Sequence, residues 1–177
     1  GKGENVQAGG MVTYDAAGIM AGGDSEFGWF GFNNMGLMIN GNEISNVQSE
    51  YVAYGIKVEQ DRFKYGTDSW FPNKVENTNV LNNIIWDMEA KNNDPSIARI
   101  GIRLFTERTN DMDFLEAVYP GYFTQDDHVL NNTVIIADDG GSTTAPLAGI
   151  AIQHSKATKI MNNAVAVEDD LIDANCP

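Results

Sequence analysis

His128 and His154 are the only imidazoles in the chain, and Asp126 and Asp127 directly precede the first of them. A histidine beside carboxylates has the parts of an acid–base catalyst: the carboxylate orients the ring and the ring moves the proton. Asp126, Asp127 and His128 thus define a hydrolase-type reading. The competing reading is a loop entering a strand with its acids turned to water. His154 follows Ile150 and Ile152 and reads as the end of an element, and no metal-ligand spacing joins it to His128.

Calcium chemistry needs hard oxygen ligands, which come from carboxylates, asparagine carbonyls and loop backbone. Asp111, Asp113 and Glu116 form one candidate set, and Asp138 and Asp139 a second. Asp169 with Asp170, and Asn40 to Glu43, offer the same ligand types. None fits the twelve-residue calcium loop, since the glycine it requires does not follow Asp111 and Asp113. Asp113 and Glu116 equally suit the first turn of a helix, and Asp-Asp-Gly-Gly at 138–141 equally suits a turn.

Other chemistries find no motif. The chain has no glycine-rich dinucleotide or phosphate loop, no G-x-S-x-G elbow and no H-E-x-x-H. Cys176 is the only cysteine, so no internal disulfide forms, and a near-terminal position does not supply the sheltered site a nucleophile needs. Asn131-Asn-Thr133 is a glycosylation triplet, in a chain whose many asparagines produce such triplets by chance. Phe63, Tyr65, Trp70 and Phe71 crowd one connection and could stack on sugar rings or pack inward.

Composition narrows the partners. A net charge of −14 with only 11 basic residues disfavours nucleic acid and anionic membrane surfaces. No run of 18 apolar residues predicts membrane insertion. Apolar content of 42% is that of a globular chain able to bury a core. A start at Gly1 rather than methionine points to a processed product or an artificially chosen start; the first favours an extracellular or other processed compartment.

The elements that would position these residues read mostly as strands. Asn33 to Gly36 and Asn40-Gly41 have the glycine placement of hairpin turns, which predicts an antiparallel meander over Phe27–Gln60. Within it Val52, Tyr54, Ile56 and Val58 are expected on one face, with Lys57 and Glu59 on the other. Asp15 to Gly18 reads as a turn between short strands. Thr78 is placed to cap a helix from Asn79 to about Lys91, with Val80, Leu81, Ile84, Ile85 and Met88 at helical spacing. A second helix is expected over Met112–Val118. Further strands are expected at 96–106, 132–137 and 164–167, and strand or helix at 147–154. No internal repeat, heptad run or low-complexity segment stands out. The fold class this predicts is β-rich, mainly antiparallel, sandwich- or barrel-like, with one or two helices packed on it; α+β is the alternative. Residues 1–10 form an extended arm and residues 11–177 a single β-rich domain.

Three functions follow. The leading one is a non-catalytic structural subunit that self-assembles or docks into a larger complex, with copies of itself or neighbouring subunits as partners. The others are a calcium- or carbohydrate-binding module and a hydrolase built on His128 with Asp126 or Asp127.

Overall fold

The computed structural model describes residues 16–22, 34–49, 52–60, 62–65, 69–72, 75–90, 99–106, 124–137, 147–153 and 155–168, to which the structural statements below refer. They form four stacked coils of a parallel β-solenoid. The first coil runs through β1 (Ala16–Gly22), β2 (Asn34–Met35), β3 (Met38–Asn40), β4 (Glu43–Ile44) and β5 (Val47–Ser49). The second runs through β6 (Ala53–Gln60), a pair β7 (Arg62–Tyr65) and β8 (Ser69–Pro72), then β9 (Val75–Glu76), β10 (Asn79–Leu81), β11 (Ile84–Ile85) and β12 (Met88–Ala90). The third contains β13 (Arg99–Thr106), β14 (Thr124–Gln125), β15 (His128–Leu130) and β16 (Thr133–Ile136). The fourth contains β17 (Leu147–Gln153), β18 (Ser155–Lys156), β19 (Lys159–Met161) and β20 (Ala164–Val167).

Each strand pairs in parallel with its equivalent one coil away, so the long sheet reads β1-β6-β13-β17 and a second reads β3-β10-β15-β19. Only β7 and β8 pair antiparallel. This corrects the antiparallel sandwich or barrel, and among the described residues there is no helix to pack on it. The expected helix over 79–91 is β10, β11 and β12. Of its five apolar positions Val80, Ile85 and Met88 are buried, Leu81 is half-buried and Ile84 is 48% exposed. This pattern arises from corners, where Asn82 (φ 53°) and Asp87 (φ 54°) turn the chain and reset which side chains face inward. The second expected helix, 112–118, the first part of the expected meander, 27–33, and the arm 1–10 lie outside the described residues.

Single left-handed residues mark three sets of corners among the described residues. Gly36, Asn77, Asp126 and Ala157 occupy one, Gly41, Asn82, Asn131 and Asn162 the next, and Asn46 with Asp87 a third. Glycine and asparagine tolerate this conformation at least cost. The sequence reading of positive φ at Gly36 and Gly41 thus holds, but these residues bend the chain between sheets instead of reversing it. Main-chain bonds continue between coils at the corners, as in Asn82 N–H to Leu130 O at 3.1 Å and Asn131 N–H to Met161 O at 3.2 Å.

The core is a set of ranks running along the stack. Ile39, Val80, Val129 and Ile160 are in register, as are Ile44, Ile85, Val134 and Val165. Facing them from the long sheet are Ile19, Ile56, Ile102 and Ile150. In β6 the alternation slips at Gly55. Ala53, Ile56 and Val58 join the main core, whereas Tyr54 packs in a separate cluster with Ile100, Ala17, Val52, Ala148 and Ala151. The single apolar face expected for residues 52–58 is therefore split between the two sides of the sheet. Gly18 lies inside β1 and not in a turn. Lys57 is not on a solvated face: it is 6% exposed, with its ammonium 5.1 Å from the Tyr54 ring centre. Arg103 donates to the Tyr54 hydroxyl at 2.6 Å, which bridges the second and third coils.

The four coils also disclose the repeat that the chain conceals. Asn42, Asn83, Asn132 and Asn163 are equivalent, separated by 41, 49 and 31 residues. Insertions of different length between coils destroy any fixed period.

Candidate assembly surface

The four equivalent asparagines form a hydrogen-bonded ladder. Asn83 Nδ2 donates to Ile39 O at 3.0 Å and to Asn132 Oδ1 at 2.9 Å, and its main-chain N–H donates to the same Oδ1 at 3.0 Å. Asn132 repeats this, with Nδ2 donating to Val80 O and to Asn163 Oδ1, and its N–H also donating to Asn163 Oδ1. Asn163 Nδ2 donates to Val129 O at 2.8 Å. Primary amides are suited to this position, since one group both donates twice and accepts twice. The doublets at 82–83, 131–132 and 162–163 thus have divided roles: the first asparagine makes the corner and the second enters the ladder. The glycosylation triplet at Asn131 follows from that arrangement, with Asn131 itself exposed at the corner.

The ladder has a direction, and the apolar ranks end unevenly. In the third coil Val129, Val134 and Ile136 are all 0% exposed. Their fourth-coil equivalents Ile160, Val165 and Val167 are 49%, 46% and 42% exposed. At the opposite end Ile39, Ile44 and Val47 are buried. The outer edges of β17, β19 and β20 have no strand beside them among the described residues. Such edges are templates for another strand. The fourth coil therefore presents half-exposed core side chains and an unpaired strand edge together. Covering those three side chains would contribute roughly 3 kcal/mol, at half the value of full aliphatic burial.

The residues singled out for chemistry are distributed otherwise. Asp126 is an exposed corner residue, Asp127 points into the solenoid, and His128 is half-buried on β15. Asp127 Oδ1 accepts the Thr78 N–H at 2.9 Å, and the carboxylate is sealed from solvent. Asp111, Asp113, Glu116, Asp138 and Asp139 lie outside the described residues, as do His154, Asp169, Asp170 and Cys176. Among the described residues no three histidine, cysteine or acidic side chains gather to hold a metal ion. Asn42 of the 40–43 group is already bonded to Asn83. The backbones of Phe63, Tyr65, Trp70 and Phe71 belong to the β7–β8 pair, with Phe63 opposite Phe71.

Burial pushes the Asp127 carboxyl up to about 6, with the Asp126 and Glu76 charges acting in the same direction and the Thr78 N–H opposing it. The folded state therefore holds this proton more tightly than the unfolded chain. The Asp127 contribution to stability is greatest below about pH 4, falls as pH rises to about 6, and is level above that. At 1.36 kcal/mol per unit the loss is about 3 kcal/mol. Asp127→Asn keeps the acceptor for Thr78 N–H and cannot ionise. Urea unfolding from pH 4 to 7.5 should show the variant matching the parent near pH 4 and exceeding it by about 2–3 kcal/mol above pH 6. A constant difference across that range would refute the assignment.

Comparison with family models, curated proteins and solved structures gives no match. Sequence reasoning found Ala164–Val167 as a strand but missed Ile160, Asn163, Val165 and Val167 as a surface. The available signal was the recurring Asn-Asn followed by apolar residues at alternate positions.

Proposed function

We propose that this chain is a non-catalytic structural subunit that docks end-on into a larger assembly through its fourth coil. The observation that carries this is the jump in exposure between equivalent core positions, from 0% at Val134 and Ile136 to 46% and 42% at Val165 and Val167. A solenoid coil gains most of its burial from its two neighbours, so a coil with no described neighbour on one side is a natural joining surface. The sealed Asp127 supports a structural reading over a catalytic one, since substrate cannot reach it.

Hydrogen exchange tests the proposal on the isolated chain and on the native particle. Amides of 155–167 should exchange fast in the isolated chain, while those of 128–136 stay protected. In the native particle, whose mass should exceed that of one chain, 155–167 should become protected as well. A native particle with the mass of a single chain, still exchanging freely at 155–167, would overturn the reading.

A further inference from the structure

We propose that the interior column Thr78, Asp127 and Thr158 binds a monovalent cation of sodium size between its coils. The three residues hold equivalent positions in the second, third and fourth coils: His128 N–H donates to Thr78 O and Lys159 N–H to Asp127 O, both at 2.8 Å. Strand alternation sets them on the same side as Val80, Val129 and Ile160, two residues further on. Thr78 and Asp127 are wholly buried. Leu37 takes the same place in the first coil and packs against the apolar core. Thr78 Oγ1, Asp127 Oδ2 and Thr158 Oγ1 are each enclosed by protein and have no hydrogen-bond partner. The main chain uses only Asp127 Oδ1, which accepts the Thr78 N–H. The Thr78 hydroxyl faces the same carboxyl and favours its charged form, without reaching hydrogen-bond geometry. Three orphaned oxygens in one interior column are costly unless a guest takes them up.

Spacing and charge select the guest. Neighbouring coils lie about 4.8 Å apart, so oxygens stacked at like positions can share a guest about 2.4 Å from each. That is the oxygen distance of calcium, and sodium has nearly the same radius. Charge separates the two. Asp127 brings one negative charge, and no ion pair reaches it. The charges acting on it, Asp126 and Glu76, are themselves negative. His128 alternates to the outer side of β15, and Lys156 and Lys159, the basic residues nearest in register, are exposed. One monovalent cation makes the column neutral, whereas a divalent ion would leave a net charge inside. A bridging water would serve the hydroxyls but leave the ionised carboxylate unbalanced. The site needs a single carboxylate, so it differs in kind from a three-acid metal cluster.

Thermal unfolding of the full chain at pH 7.5, followed by circular dichroism in sodium or choline chloride at equal ionic strength, tests the site. Sodium at about 150 mM should raise the midpoint by about 3–6 °C over choline, saturably, the shift of a site about tenfold above its dissociation constant. Asp127→Asn should abolish the response, and Thr78→Val should weaken it. At this pH the margin of Asp127→Asn over the parent should be full in choline and smaller in sodium. Equal parent midpoints in the two salts would overturn the site. A sodium response that Asp127→Asn retains would put the cation elsewhere and overturn it as well. A further rise with millimolar calcium, lost in Asp127→Asn, would overturn the monovalent assignment.

Discussion

Gly101→Ala is expected to destabilise the protein by more than about 4 kcal/mol, enough to remove most of the stability of a domain this size. Gly101 has an ordinary backbone angle, so alanine would by itself favour folding by up to about 1 kcal/mol through the unfolded chain. Sterics reverse the sign. A Cβ there would lie 2.5 Å from the Gly149 carbonyl oxygen and closer still to Val134 Cγ1. Val134 is wholly buried and cannot swing aside, and the Gly149 oxygen belongs to the adjacent strand of the long sheet. Gly55 has the same constraint against Ile85 and the Gly101 oxygen. Gly149 provides the contrast: the three atoms nearest its Cβ would all belong to Val165, which is 46% exposed and has room to move. Gly149→Ala should cost under about 2 kcal/mol, within the usual range for overpacking. Urea midpoints followed by circular dichroism give both values. Equal costs at the two glycines would show that the close packing of the central coils is not what selects glycine.

Asn132→Ala has the second-largest expected effect, about 3–5 kcal/mol of destabilisation. Truncation removes the acceptor for Asn83 N–H and Nδ2 and the donor to Val80 O, all in the closed interior. Each buried polar group left without a partner costs about 1–3 kcal/mol, and neighbouring losses are not fully additive. Asn163→Ala removes equivalent bonds from a coil that water can reach, so it should cost about half as much. Asn132→Asp restores the acceptor but sets a buried charge against Asn163 Oδ1 and Val80 O, and should be no better than alanine. Chemical denaturation of the three variants checks the order, and an Asn163→Ala cost equal to that of Asn132→Ala would contradict the open fourth coil.

Legibility differed by scale. Strands at 133–136 and 164–167 were readable because β-branched residues favour an extended backbone. Positive φ at Gly36 and Gly41 was readable because few other residues adopt it cheaply. The helix expected at 79–91 failed because corners at Asn82 and Asp87 reset which side faces inward, burying Val80, Ile85 and Met88 and exposing Ile84. Asn131 and Asn132 stood in the sequence as a glycosylation triplet, and only their separate places, one outside and one within, reveal a corner and a ladder.

By itself, then, the sequence determined local conformation: which stretches extend, which residues bend, and which side chains avoid water. Tertiary structure alone decided that the bends join different sheets instead of reversing the chain. That choice rests on pairing across 31 to 49 residues, which local preference does not encode. It also decided that Asp127 is enclosed while His128 is half-buried. The exposure of Ile160, Val165 and Val167 was decided in the same way. Their side chains match those buried one coil earlier, and they are exposed because no coil lies beyond them among the described residues.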